Sequence, residues 1–510
     1  MAQPQLVNFP GKKSKSTLDT IRARHSKELV IGLCGAVGAG VKLLNKQLQE
    51  ELISADYHVE HISLSELIAA QFENPEETLK LNGYERYDKL QDLGDDLRAN
   101  KSPSIIADMA IRRISIIRTS LFGDKNTPPT TALKIDKKVA YIINQLKNPA
   151  EVKIFQEIYR NNFYLLGLLR TENERINNIV QEGIKKSDAY KLVDRDRKGK
   201  DDFGQQVETT AFLSDYFIRN IDKADKLKAS VTRFIKLVHG VENITPTRNE
   251  SGMFSAYSAS LRSACMSRQV GAAISDTEGR ILSTGCNDVP KFGGGLYDTD
   301  NEEDNRCYGY RTGDCHNDKH KGLLRKQIEE VLTKNGIDGS TKLAEDIMDN
   351  SKAKSLIEYS RAIHAEMDAI VSLARDTTTS TVGKILYCTT YPCHSCARHI
   401  VAAGIERVVY IEPYEKSLAL DLHDDAICLI DDKKANKVVF ENFEGVSPNR
   451  YSKFFAYSKK KKKNGKAIEF DLIKEEHMDT QPLDCYGDYE LKVVEMTNEL
   501  VGEDNFIQYN

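Results

Sequence analysis

The feature that most constrains this chain is a pair of short motifs, His364-Ala365-Glu366 and Pro392-Cys393-His394-Ser395-Cys396. One imidazole and two thiolates supply three ligands for zinc, and three protein ligands leave its fourth tetrahedral position open for a water. Cys393 and Cys396 are three residues apart, so they share one face of a helix, and a helix N-terminus favours thiolates. Pro392 suits the start of such a helix. The motifs therefore predict a catalytic zinc site formed by His364, Cys393 and Cys396.

Glu366 follows His364 by two residues, a separation that does not stack side chains on one helical face. It is therefore predicted to lie beside the metal, where it can move protons. Zinc lowers the pKa of a bound water, and Glu366 would take the proton before the hydroxide attacks a ring carbon that carries an amine. The pattern H-x-E followed by P-C-x-x-C is typical of zinc-dependent nucleobase deaminases. A structural zinc knuckle is the alternative, but such a site normally has a fourth protein ligand.

Composition favours an intracellular enzyme of more than one domain. The chain has 510 residues, 40% of them hydrophobic, which predicts two or three domains with cores of their own. Its formal net charge of −4 gives no global electrostatic reason to expect nucleic acid binding. The 10 cysteines are spread thinly and no secretory signal precedes them, so a reducing cytoplasm is predicted. No apolar run approaches the roughly 20 residues that a membrane-spanning helix needs.

A glycine-rich turn marks the N-terminal domain. The apolar strand Glu28–Cys34 runs into Gly35-Ala-Val-Gly38-Ala-Gly40, and an amphipathic helix begins at about Lys42. This is the strand, loop and helix order of a P-loop, but Val41 replaces the phosphate-binding lysine and Lys42 replaces the magnesium-binding hydroxyl. Kinase activity is therefore not expected, although backbone amides can still cradle a phosphate. The predicted nucleotide-binding residues are Gly35, Gly38, Gly40 and Lys42. A βα turn without any ligand is the alternative.

The rest of the N-terminal half alternates helices with strands, which predicts a parallel sheet. Residues 86–98 are similar to the substrate-binding segment of nucleoside monophosphate kinases, and a helix interrupted near Gly94 is predicted there.

The predicted domain limits are 1–27 for an N-terminal extension, 28–245 for a degenerate P-loop kinase-like domain, 246–475 for a zinc-dependent deaminase-like domain, and 476–510 for a C-terminal tail or peripheral helix.

Two further motifs extend the pattern beyond the zinc ligands. Arg262-Ser263-Ala264-Cys265 and Gly285-Cys286-Asn287-Asp288-Val289-Pro290 resemble the R-S-x-C and G-x-N-x-x-P elements of the deoxycytidylate deaminase family. The resemblance implies that Asn287 binds the deoxyribose hydroxyl and that the Arg262 region approaches the phosphate. Asp368 stands where that family commonly has asparagine, so the chain departs from the family pattern at this position.

The two halves together resemble the bacterial antiviral cytidine deaminases that drain deoxycytidine nucleotides during phage infection. The implied fold is α/β throughout: a P-loop kinase-like parallel sheet domain followed by a cytidine deaminase-like α/β/α sandwich. The implied activity is deamination of dCMP, dCTP or both, with Zn²⁺ as cofactor. A regulatory nucleotide or a small inhibitory RNA, and a homo-oligomer, are further expectations from this resemblance.

The segment 306–320 offers ligands for a second, structural zinc. It contains two cysteines and two histidines, namely Cys307, Cys315, His316 and His320. Their spacing is unusual for a zinc site. The interleaved Arg, Tyr and Asp residues fit a substrate-binding loop equally well.

Two other functions share the same zinc motif. A nucleic-acid-editing deaminase would need a basic groove and aromatic platforms, and near-neutral charge without tryptophan disfavours it. A nucleotide or RNA sensor built on the N-terminal domain would use the deaminase as its output.

Overall fold

The structure is a computed structural model that describes Thr17 and residues 25–123, 133, 135, 137–197, 203–219, 224–241, 244–376, 378–414, 417–430, 436–456, 462–477, 481–482 and 485–502. The described residues divide into two compact units. The first contains those of Met1–Ile244 and Ala456–Asn510, and the second contains those of Thr245–Phe455. Most of the predicted extension 1–27 lies outside the described residues. Among the described residues, no helix combines the length and the apolar character that crossing a membrane requires.

A parallel sheet forms the centre of the first unit. Its five strands pair in the order β5-β4-β1-β3-β2, and every pair is parallel. Apart from β2, their residues are almost wholly buried, as expected for strands covered by helices on both faces. The strands are β1 Glu28–Gly35, β2 His58–Ser63, β3 Val139–Asn144, β4 Phe163–Leu168 and β5 Tyr216–Ile218. The predicted parallel sheet is confirmed, and its kinase-like character stays a prediction.

Ten helices of the first unit accompany these strands in the described part of residues 25–244. They are α1 Val41–Ser54, α2 Leu64–Ala69, α3 Pro75–Lys80, α4 Gly83–Asn100, α5 Ile105–Phe122, α6 Pro149–Tyr159, α7 Glu172–Gln181, α8 Lys186–Arg197, α9 Val207–Phe212 and α10 Ala224–His239. A short 3₁₀ turn, Arg160–Asn162, precedes β4.

The expected interruption near Gly94 is absent, because α4 runs without a break through this position. Gly94 is buried, and a side chain at its Cα would begin 3.6 Å from Ile68 of α2 and 3.7 Å from Ile106 of α5. A glycine inside a helix costs about 1 kcal/mol, which packing can outweigh. The prediction of a break was therefore wrong, because the glycine faces neighbouring helices and the packing on that face holds the helix together.

The C-terminal segment returns to the first unit. Its last helix, α18 Gly487–Val501, packs on α5, and Glu490 is buried there. The Arg118 guanidinium pairs with both Glu490 and Glu28, while the hydroxyls of Tyr141 and Tyr486 donate to Glu28 over 2.9 and 2.5 Å. The structure thus groups the described residues after 456 with the first unit, whereas the sequence placed residues up to 475 in the second domain. A polar, acidic composition concealed the few buried side chains that attach this segment. Earlier in the same segment, the short strands β13 Lys462–Lys463 and β14 Lys466–Ala467 pair with each other in antiparallel fashion.

The second unit is a mixed sheet covered by helices. Its strand order is β10-β11-β9-β8-β6-β7, parallel from β10 to β8 and antiparallel from β8 through β6 to β7. The strands are β6 Gly271–Ser275, β7 Ile281–Cys286, β8 Ile385–Thr390, β9 Arg407–Glu412, β10 Ile427–Leu429 and β11 Val438–Asn442, with a short β12 at Gly445–Val446. The helices are α11 Arg248–Ser260, α12 His316–Lys334, α13 Ser340–Asn350, α14 Ala365–Arg375, α15 His394–Ala402, α16 Ala419–Leu422 and α17 Tyr451–Phe455, with 3₁₀ turns at Lys352–Ser355 and Pro448–Arg450.

Helices cover both faces of this sheet. On one face Gly271 lies so close to α11 that a Cβ atom would be 1.9 Å from the Ala256 carbonyl oxygen. On the other face Ala272 and Ile274 share a buried cluster with Ala365 and Ala369 of α14. Since alternate strand residues point to opposite faces, α11 and α14 lie on opposite sides of the sheet. The expected α/β/α sandwich is confirmed, and its sheet is mixed.

Candidate active site

Two helix starts bring the three predicted metal ligands together. His364 is the residue before α14 and Cys393 is the residue before α15, while Cys396 lies in the first turn of α15. Nδ1 of His364 is 3.4 Å from Sγ of Cys393 and 3.3 Å from Sγ of Cys396. In the part of the chain that the structure describes, these three form the only group of three or more His, Cys, Asp and Glu side chains with ligand atoms within 4.8 Å of one another.

Local electrostatics favour a thiolate at this group. Hydrogen bonding by Cys396 and His364 lowers the pKa of Cys393 to about 4, against the opposing effect of burial. The backbone geometry contributes as well, because Cys393 caps the positive end of α15. Cys393 is therefore ready to act as an anionic ligand. Imidazole and thiolate are the ligands that zinc takes most readily in proteins.

Glu366 lies in the first turn of α14, next to the three ligands, and only 4% of its surface is exposed. Burial raises the pKa of its carboxyl group. A carboxyl group with a raised pKa is suited to accept a proton in one step and release it in the next. Glu366 is not part of the group of converging ligand atoms. Its role in moving protons beside the metal stays a prediction.

A cavity of about 160 Å³ opens beside the ligand group. His364, Glu366 and Cys393 form one part of its wall, and Thr390, Tyr391 and Tyr414 contribute to another. The cavity is mostly apolar with a few polar groups, the usual character of a site for a small ligand.

Comparison with known proteins agrees with this geometry. Residues 246–412 match the family profile described as the cytidine and deoxycytidylate deaminase zinc-binding region. The deoxycytidylate deaminase of Enterobacteria phage T4 is 33% identical over 162 residues, which is 32% of this chain and 76% of the phage protein. The chain belongs to the cytidine and deoxycytidylate deaminase family. The deoxycytidylate deaminase of Enterobacteria phage T2 is 34% identical over 162 residues, which is 32% of this chain and 78% of that phage protein.

A solved structure is also similar to part of this chain. The dCMP deaminase of the cyanophage S-TIM5 in its apo form shares 20% sequence identity with it, at a TM-score of 0.23. The match covers 39% of this chain and 100% of the cyanophage chain.

Asn287 lines the cavity of the deaminase but also holds its wall in place. Its Oδ1 accepts a hydrogen bond of 2.7 Å from the Val270 amide, and its Nδ2 donates one of 2.8 Å to the Arg268 carbonyl. The side chain thus fixes the segment that leads into β6. The predicted contact of Asn287 with deoxyribose stays a prediction.

Arg262 is exposed and does not contribute to the cavity among the described residues that line it. Its Nη2 donates to Thr284 on β7 over 3.4 Å. Asp368, which stands where the family commonly has asparagine, is buried and is not among the described residues that line the cavity. Its Oδ2 accepts from the Cys286 amide over 3.1 Å. The side chain at position 368 therefore joins β7 to α14. The difference between aspartate and asparagine at this position acts on that attachment directly.

Arg268 was missed by the sequence analysis, although it lies in the cavity wall. It follows Arg262 by six residues and precedes β6 by three. The predicted motif ended at Cys265, and nothing in the spacing distinguished Arg268 from an ordinary surface arginine. Asn317 was missed in the same way, since it belongs to α12, outside the matching motifs.

The structure does not bring the predicted second set of zinc ligands together. Among the described residues, Cys307, Cys315, His316 and His320 form no group of three converging ligand atoms. His316 and His320 are one turn apart on α12 with ring centroids 6.4 Å apart, and His320 packs on Tyr359. A second zinc stays a prediction without support from this geometry.

The glycine-rich loop of the first unit has the backbone that its sequence requires. Gly38 and Gly40 have φ values of 80° and 89°, in the region that favours glycine. Val41, in the place of the phosphate-binding lysine, is buried, and Lys42 is exposed on α1. Nucleotide binding by Gly35, Gly38, Gly40 and Lys42 stays a prediction.

A carboxylate of the protein already occupies one amide of this loop. The Val37 amide donates to Asp196 Oδ2 over 2.6 Å, and Asp196 also pairs with Lys147. Asp196 is fully buried. An internal anion is therefore bound to the loop at an amide of the kind that holds phosphate in related loops.

Proposed function

We propose that this protein catalyses the hydrolytic deamination of deoxycytidine nucleotides, dCMP, dCTP or both, with zinc as cofactor. The observation that carries the proposal is the convergence of His364, Cys393 and Cys396 at a cavity whose wall includes the buried Glu366. Two relatives that match this chain over most of their own length are named deoxycytidylate deaminases. Their names support this substrate class.

The three ligands fit a zinc ion. Tetrahedral coordination with Zn–N near 2.0 Å and Zn–S near 2.3 Å separates the nitrogen and sulfur atoms by roughly 3.6 Å. The distances of 3.3 and 3.4 Å from Nδ1 of His364 to the two Sγ atoms are close to this value. When bound, the ion would supply Lewis-acid activation of the attacking water.

Glu366 would move the protons of the reaction. Its carboxylate accepts a proton from the attacking water as oxygen bonds to the ring carbon that carries the amine. The same carboxyl group would pass that proton to the ring nitrogen. It would then take the second proton from the new hydroxyl and give it to the departing amine as the C–N bond breaks, so that ammonia leaves and a uracil ring remains. The burial that raises the pKa of Glu366 supports this double role.

We also propose that the N-terminal unit regulates the deaminase. The glycine-rich loop supports a role in sensing a nucleotide, and the resemblance to antiviral deaminases favours depletion of the dCTP pool as an anti-phage defence. Control by a small inhibitory RNA and assembly into a homo-oligomer belong to the same proposal.

The decisive experiment measures ammonia release and separates the products by chromatography. The substrates are dCMP, dCTP, CMP, deoxycytidine and single-stranded DNA, each tested with native protein and with Glu366→Gln protein. Conversion of a free deoxycytidine nucleotide by native protein alone would support the proposal and rank the substrates. Conversion of DNA alone, or equal conversion by the variant, would contradict it.

A further inference from the structure

Helices α12 and α13 form a helical hairpin, residues 316–350, that buries very little of its surface. α12 has 19 residues and none of them is buried, while in α13 only Ala344 and Met348 are buried. Among the described helices and strands, α12 packs substantially on α13 alone. Most helices in proteins are stabilised by burying one face. The hairpin therefore has packing surface that the described part of its own chain leaves uncovered.

Polar side chains join the two helices along one flank of the hairpin. Arg325 of α12 donates to Glu345 of α13 over 3.0 Å, and Thr341 of α13 donates to Glu329 of α12 over 2.5 Å. Each pair on one helix is spaced by four residues, so it lies in a single row. The polar groups of this flank are thus satisfied within a single copy.

The other flank of α13 is apolar. Leu343 and Ile347 each precede a buried residue, Ala344 or Met348, by one position, whereas Glu345 follows Ala344 by one position. One residue is a rotation of about 100° around a helix, so Leu343 and Ile347 lie on the flank opposite Glu345. Both side chains remain more than one third exposed, at 38% and 36%.

α12 continues this apolar face. Leu324, Ile328 and Val331 have the spacing i, i+4 and i+7 of one helical row, and each of the first two precedes a residue of the polar flank. Val331 is 60% exposed, and Leu324 and Ile328 are only half-buried. An apolar face that extends over two helices and faces water is typical of a protein interaction surface.

The charges of the hairpin favour a second copy of itself as the partner. α12 has five Lys and Arg residues against three Asp and Glu, whereas α13 has one Lys against three Asp and Glu. A contact between α12 of one copy and α13 of the other therefore joins opposite charges, while a contact between two α12 helices joins like charges. Two-fold symmetry makes the favourable contact twice.

The size of the face is sufficient for such a contact. Helices of 19 and 11 residues, at about 1.5 Å per residue and about 10 Å wide, present roughly 450 Å² per copy. Two copies approach the roughly 1,000 Å² that a specific interface needs. Two helical hairpins packed face to face form a four-helix bundle, in which the apolar rows become the core.

We propose that this hairpin packs on the same hairpin of a second copy as a four-helix bundle, with each α12 on the α13 of the other copy. The proposal rests on the homo-oligomer of the proposed function and assigns its interface. Asn317, in the first turn of α12, and Ser360, which follows the hairpin, both line the cavity of the candidate active site. Pairing of the hairpins therefore also steadies this part of the cavity wall.

Sedimentation velocity of the full chain over a concentration series tests the pairing. Val331→Glu and Leu343→Lys each place a charge in the apolar face, and we expect each to weaken association by at least about a hundredfold. Both positions are exposed in one copy, so circular dichroism should show native folding. Equal association of native and Val331→Glu protein would overturn the proposal.

A mixture of the two variants tests the arrangement of the helices. With α12 on the α13 of the other copy, the two-fold axis runs along the bundle and both turns lie at the same end. Val331 and Leu343 are close to the turn on α12 and α13, so they face each other between copies. An equimolar mixture of Val331→Glu and Leu343→Lys protein should therefore recover association, because glutamate meets lysine. Absence of recovery would overturn the arrangement.

A matched control is Leu422→Glu, which places the same charge at an exposed leucine of α16, outside the hairpin. It should associate like native protein. In the ammonia assay, Val331→Glu should raise the KM for dCMP more than it lowers kcat, and the mixture should restore the KM. An unchanged KM after dissociation would overturn the link to the cavity. Pairing through the hairpin in a native protein that deaminates no nucleotide would support the interface while refuting the proposed function.

Discussion

Sγ of Cys396 lies 3.3 Å from Nδ1 of His364, although 32 residues separate them in the sequence. If these atoms share a zinc ion, Cys396→Ser should lower zinc affinity by at least about tenfold, since even outer-shell changes cost that much. Zinc content after dialysis, measured by atomic absorption, checks this expectation. Cys428→Ser, which changes another buried cysteine of the same unit, should keep its zinc. Equal zinc content in both variants would contradict the ligand assignment.

Local spacing was sufficient to predict the ligand group because each of its motifs begins a helix. The positions of His364 before α14 and of Cys393 before α15 depend on a few neighbouring residues. The glycine turn after β1 was predictable for the same reason, since Gly38 and Gly40 carry the positive φ values of the loop.

Contacts between distant segments were not predictable in this way. Asp196 is 159 residues from Val37, and Glu490 is 372 residues from Arg118. Each looks in the sequence like a surface charge on a helix, and only the folded chain shows its partner. Arg268 was overlooked for the same reason, since its place in the cavity depends on Asn287 and on the ends of β8 and β9.

Gly285 couples the sheet to the helix that carries Glu366. A Cβ atom at this position would lie 2.3 Å from the Ala365 carbonyl oxygen and 2.4 Å from the Ala369 amide nitrogen. Gly285→Ala should therefore push β7 away from α14 and destabilise the protein by about 1–3 kcal/mol. The shift also displaces Glu366, so deamination should fall more than the folded fraction does. Circular dichroism during urea unfolding, combined with the ammonia assay, measures both effects.

Gly322 provides the control for this change. It lies inside α12, and a Cβ atom there would meet no neighbouring atom within 4 Å. Gly322→Ala should leave activity unchanged and stabilise the protein by up to about 1 kcal/mol. Equal behaviour of the two alanine variants would show that close contact between β7 and α14 is unimportant.

Asp196 should limit anion binding by the glycine-rich loop. Its carboxylate accepts from the Val37 amide and pairs with Lys147, so an incoming phosphate meets a negative charge. We expect Asp196→Ala to bind inorganic phosphate at least about tenfold more tightly than native protein, because one unit charge is removed at short range. Isothermal titration with phosphate checks this. Asp194→Ala, which changes an exposed aspartate of the same helix, should resemble the native protein. Equally tight binding by native and Asp196→Ala protein would show that Asp196 does not compete.

Arg118 should stabilise the attachment of the C-terminal helix in a pH-dependent manner. Burial alone would raise the pKa of Glu28, but the charge of Arg118 and three hydrogen bonds hold it below its usual value. The native pairing therefore adds stability above the ordinary pKa of a glutamate, and this stability is lost as the pH falls through the lowered value. Arg118→Met leaves Glu28 and Glu490 buried without their cation, which costs about 3–5 kcal/mol near pH 7.

The sign of the pH effect reverses in this variant. Without the guanidinium, burial raises the pKa of Glu28 above its unfolded value, so its contribution to stability is present at acid pH and is lost as the pH rises. The stability difference between native and Arg118→Met protein should thus be largest near pH 7 and should narrow towards pH 4. Urea unfolding monitored by circular dichroism across this range measures the difference. Glu495→Gln, an exposed change on α18, should follow the native curve throughout. A difference between native and Arg118→Met protein that is independent of pH would mean that lost packing, and not the unpaired carboxylates, destabilises the variant.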